Sequence, residues 1–108
     1  MTVYPNFAEF VRAEVLPLQD EHPEWVRLDG VAGGDNRTVV GRFIHHGTTW
    51  KVHADTHFQP LLAAFASAER GADPFTEKPT KTDRCLELVP ELRPEPASPK
   101  HLYIYADG

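Results

Sequence analysis

The sequence predicts an α+β fold: a helix, a three-stranded antiparallel meander, a second helix, then two further strands, with the helices on one face of the sheet. Three observations carry this. Apolar spacing is helical near the N-terminus, alternating through the middle, and helical again over residues 58–68. Two glycine turns, Gly33-Gly34-Asp35-Asn36 and His46-Gly47, separate runs rich in β-branched and aromatic residues. Both turns also lead to the same register, which is the consistency expected of a foldable sequence.

Residues 5–16 read as the first helix, because Phe7, Phe10, Val11 and Val15 recur at i, i+3, i+4 spacing, and Pro17 bounds it. Trp25 to Ala32 alternates as a strand. A Gly34-Asp35 turn sets Leu28 opposite Gly41 and Val26 opposite Phe43. Arg37 to His45 and Thr48 to Ala54 form the next hairpin around His46-Gly47, pairing Phe43 with Trp50, Gly41 with Val52 and Val39 with Ala54. One sheet face then carries Val26, Leu28, Val39, Phe43, Trp50 and Val52. Gly30 and Gly41 on that face leave room for a helix to approach. The other face carries Arg42, Lys51 and His53, with Val40 and Ile44 as apolar exceptions.

The second helix starts at Thr56, an N-cap with Gln59 three residues on, and stops at Gly71. Its stripe is Phe58, Leu61, Leu62, Phe65 and Ala68, with Ser67 off it. Residues 72–83 read as a polar surface linker, and 84–89 and 101–106 as the last two strands, joined by a proline-rich loop over 90–100. The whole is a single domain, 1–108, long enough to bury roughly two-thirds of its unfolded surface.

Composition narrows the function. Seven acidic against five basic side chains in residues 1–54, and nine against six in 55–108, spread the net charge of −5 evenly along the chain. A nucleic-acid footprint would cluster Lys and Arg, so no nucleic-acid partner is expected. The opening helix and three strands resemble those of a double-stranded RNA binding domain, but the basic helix N-terminus and Lys-rich loop of that family are missing around Thr56 to Phe58. No apolar run approaches the roughly 18 residues of a membrane span, so no membrane partner is expected either. The single cysteine, Cys85, excludes an internal disulfide and suits a cytoplasmic protein.

Chemistry-bearing residues concentrate at His45, His46, His53, Asp55 and His57. His53, Asp55 and His57 could converge at the end of a strand as metal ligands or acid/base groups, the alternative reading of a small metal-dependent or histidine-based enzyme. The metalloprotease spacing fails, since Ala54 stands where its Glu is needed. His45 and His46 read as turn residues whose side chains point to opposite faces. The two serines, Ser67 and Ser98, lie in no nucleophile elbow, and Gly33-Gly34 opens no helix that could hold a phosphate. Arg93, Pro96 and Pro99 have the spacing of a proline-rich ligand, which any proline-rich loop produces by chance.

The leading expectation is therefore a small acidic, non-enzymatic protein-binding module of the inhibitor, immunity or chaperone type, with no cofactor. Its partner is another protein or a second copy of itself as a homodimer. The contact residues expected are Trp25, Val40, Ile44, Tyr103 and Tyr105, together with Val31, on the outer β-face.

Overall fold

The computed structural model describes residues 2–28, 38–79, 83–92 and 102–107. The architecture is α+β, a mixed sheet with helices packed on one face. The chain opens with β1 (Val3–Tyr4) and enters α1 (Phe7–Phe10), capped by Asn6, whose side chain accepts from the Glu9 N–H at 2.8 Å. The helix then widens over Val11–Val15 and tightens again as α2 (Leu16–Glu21). Pro17 thus sits inside the helical run instead of ending it. A proline ring clashes with the carbonyl four residues back, and the wider turn, in which the Leu16 N–H reaches the Val11 carbonyl, relieves that crowding.

β2 (Val39–His45) and β3 (Thr48–His53) form the expected hairpin, with Phe43 opposite Trp50 and Gly41 opposite Val52. His46 and Gly47 both adopt positive φ, 50° and 78°, the two-residue turn whose twist matches that of the strands. Near its start β2 carries a bulge between Val39 and Gly41, so Val39 pairs with His53 and not with Ala54. One extra residue flips the side chains beyond it. Val39 therefore shares the outer face with His53 and Lys51, while Val40 packs on the core, the reverse of the sequence reading.

The predicted first strand of the meander is displaced. β2 has β1 as its second neighbour, running parallel, and Val26 and Leu28 do not pair with Phe43 and Gly41. Residues 25–28 instead lie along the segment before the second helix: the Leu28 N–H donates to the Thr56 carbonyl and the Phe58 N–H to that of Val26. Leu28 is buried, but Val26 is 68% exposed, so only part of the predicted six-residue face holds together. The Gly33 to Asn36 turn, Gly30, and the Arg93, Pro96 and Pro99 spacing fall outside the described residues.

α3 (Phe58–Glu69) is entered through His57, not Thr56. The Thr56 hydroxyl is fully buried, donating to the Tyr103 carbonyl and accepting from its N–H, and is thereby committed to a neighbouring segment. α3 buries Phe58, Leu61, Ala64 and, contrary to expectation, Ser67. It ends in paired C-terminal bonds, Gly71 N–H to Ala68 and Ala72 N–H to Ser67, with Gly71 at φ 85°.

Residues 72–83 are not a linker throughout. β4 (Phe75–Pro79) pairs antiparallel with β5 (Arg84–Leu88), and a short helical turn over Pro90–Leu92 follows before β6 (Ile104–Ala106). β6 inserts between β3 and β5, giving the order β1-β2-β3-β6-β5-β4. The described parts of the last two predicted strands are real but shorter.

The core lies between the sheet and the helices. Phe10 rests on the bare backbone of Gly41, where an added Cβ would overlap its Cε1 and approach Cδ1 to 2.9 Å. Phe7 packs edge-on against Phe43 at 5.1 Å, and Arg12 reaches from the first helix to Glu69 of α3. The sheet is also curled. β4 is four strands from β2, about 19 Å along a flat sheet, yet the Phe75 and Phe43 rings lie 6.3 Å apart and Phe75 meets Phe7 at 4.8 Å. Apolar side chains on the inner face of each strand bend it around the first helix.

Candidate functional site

The curl brings the start of β4 against the β2–β3 turn. His45 ends β2 on the inner face, two residues after Phe43, and its ring stands edge-on to Phe75 at 5.5 Å. Its carbonyl accepts from the Trp50 indole N–H at 3.3 Å, which fixes the backbone at the turn. His46 follows in a left-handed conformation, and that swings its side chain back onto His45: the two rings stack at 4.1 Å and 12°. The strand rule that neighbouring side chains point apart does not extend past the last residue of the strand.

Both imidazoles meet Asp73. His45 Nε2 lies 3.2 Å from Oδ1 and His46 Nε2 lies 3.1 Å from Oδ2. The carboxylate is itself held, since Oδ1 accepts the Phe75 N–H at 3.1 Å across a tight side-chain turn. Ligand atoms of the three residues lie within 4.8 Å of one another, the one such group of three or more found among the described residues. Burial grades across it: the side chains of His45, Asp73 and His46 are 17%, 39% and 73% exposed. Burial holds the His45 imidazole below its ordinary value, an effect that outweighs the opposing pull of the Asp73 carboxylate.

The predicted trio of His53, Asp55 and His57 forms no such group. The Asp55 carboxylate accepts from Arg27 at 2.7 Å, in a pair less than one-fifth exposed on either side. His53 is buried on the outer face, edge-on to Tyr105 at 5.3 Å, and His57 sits opposite Arg27 in a bridge between backbones.

The predicted contact residues separate. Ile44 is exposed on the outer face, where half-buried Tyr105 stands beside Lys51 and Tyr103 lies just before β6. Val40 packs on the core, and Trp25 stacks on His22 at 3.7 Å with its remaining surface against the core. Val31 lies outside the described residues. Cys85 pairs with Tyr105 across β5 and β6, and burial, reinforced by Glu87, pushes its thiol up, so it is protonated and weakly nucleophilic at neutral pH.

Sequence reasoning set the two histidines aside as turn residues facing apart, placed its metal alternative on His53, Asp55 and His57, and had no signal for Asp73. The whole of β3 and α3 separates His46 from Asp73 in the chain, so only the folding of the sheet brings them together, and no spacing in the sequence announces the meeting. The fold and this cluster define the class of molecule: a small acidic α+β protein with a one-sided, curled sheet, in which no described helix is long and apolar enough to cross a membrane. No protein-family model, curated protein or solved structure matches the chain.

Proposed function

We propose that this is a non-enzymatic protein-binding module, of the inhibitor, immunity or chaperone type, which engages another protein or a second copy of itself through the outer face of its sheet. The observation that supports the reading is an asymmetry. Helices lie against the inner face, while Ile44, 41% exposed, shares the outer face with half-buried Tyr105 and its neighbour Tyr103. Lys51, directly beside Tyr105, and the Arg42–Asp107 ion pair lie among these side chains, so the face mixes aromatic, aliphatic and charged groups, as protein contacts do. A net charge of −5 favours a basic partner by long-range attraction. A cytoplasmic location belongs to the same proposal and fits a chain whose one cysteine is free.

Trp25 and Val40 contribute to the core, so the test falls on Ile44 and Tyr103. An Ile44→Glu/Tyr103→Ala variant should melt as the wild type does and lose self-association in sedimentation velocity, or lose the protein that the wild type captures from its source cells. A folded variant that sediments and captures like the wild type would sink the proposal.

A further inference from the structure

We propose that His45, His46 and Asp73 form a binding site for a single divalent transition-metal ion of the zinc type. The inference is independent of the outer-face reading, because these residues lie at the turn end of the inner face.

The donor set comes first. Two imidazoles, which are borderline donors, and one harder carboxylate make a set that zinc and its neighbours accept, and three protein ligands leave a coordination position for water. Distances follow. Ligands about 2.0–2.1 Å from a tetrahedral ion stand roughly 3.3 Å apart. His45 Nε2 lies 3.2 Å from Oδ1 and His46 Nε2 3.1 Å from Oδ2, near that edge but on different oxygens. All three ligands fall within 4.8 Å, so a small adjustment gathers them. To ligate an ion through Nε2, each neutral imidazole carries its one ring proton on Nδ1, so the Nε2 lone pair faces the metal and binding needs only a change of tautomer.

Support around the site is graded in a way that suits capture. Asp73 is fixed by the Phe75 N–H, and His45 by the Phe75 ring and by the Trp50 bond to its carbonyl. His46 is exposed and free of packing on its outer side. That freedom is needed, because stacked rings aim their lone pairs side by side and not at one point. His46 must rotate about its side-chain bonds to bring Nε2 onto the ion. Glu77, whose charge acts on His45, adds negative potential, and it is itself held by Arg84 at 2.7 Å.

The probe is Zn²⁺ alone, titrated calorimetrically into chelator-stripped, tag-free full chain. Wild type should bind one equivalent in a saturable event and show a higher melting temperature with the ion present. His46→Gln and Asp73→Asn should each bind about tenfold more weakly or worse, as expected when a site loses an element of its coordination. His22→Gln, which changes a histidine on another part of the surface, should leave binding unchanged. His46 is exposed, so its variant keeps the wild-type melting curve without metal, and loss of binding there cannot be ascribed to unfolding. The assignment is overturned if wild type shows no saturable binding, if both site variants bind as the wild type does, or if His22→Gln abolishes binding.

Discussion

At the scale of single residues, position 41 shows how a missing side chain shapes the core. Gly41 keeps an ordinary strand conformation, so its role is steric: it makes room for the Phe10 ring. That ring cannot step aside, being fully buried among Tyr4, Phe7 and Phe43. Gly41→Ala should therefore cost about 1–3 kcal/mol in urea denaturation, the usual range for overpacking. A cost near zero would mean that Phe10 has space the structure does not give it. This contact was legible in the sequence, because a glycine on the apolar face of a strand invites close approach. Which residue approaches was not, since that depends on where the first helix lies.

Among the elements, α3 gives a contrasting glycine. Nothing lies within 4 Å of the Cβ that Gly71 lacks, but its φ of 85° is left-handed. Gly71→Ala should cost about 1–2 kcal/mol from backbone strain alone, with Gly71→Asn costing less, and thermal denaturation of the pair separates the two. Equal stability of all three proteins would count against the C-terminal cap. The end of α3 was readable because its stop signal is local. Its start was misread because Thr56 had a stronger use for its hydroxyl, in bonds to both backbone groups of Tyr103, 47 residues away. Pro17 is the reverse case, since a widened turn lets the helix pass a residue that local rules treat as its end.

For the whole molecule, the decisive feature is the curl that joins β4 to the first helix through Phe75. Phe75→Ala should destabilise the protein by about 3–5 kcal/mol, as for a fully packed phenylalanine, whereas Thr76→Ala on the exposed side of the same strand should stay within about 0.5 kcal/mol. Urea denaturation of the two variants checks this. If Phe75→Ala behaved like the surface variant, residues 75–79 would be the loosely attached linker that their composition suggests. The same curl assembles the His45–His46–Asp73 cluster, so stability and the proposed metal site depend on one packing arrangement.

Short-range rules written into the chain were enough for the α+β class, the β2–β3 hairpin and its register through Gly41, the apolar stripe and glycine stop of α3, and the alternation of β6. Which neighbour each strand took was settled by packing in three dimensions. The two-residue β1 is too short to show a period, the polar face of β4 resembles a loop, and one bulge near Val39 exchanges two faces. These choices turn on burial between residues far apart in the chain, where free energy comes from shape that no local pattern contains, and Asp73 reaches its two histidines for that reason.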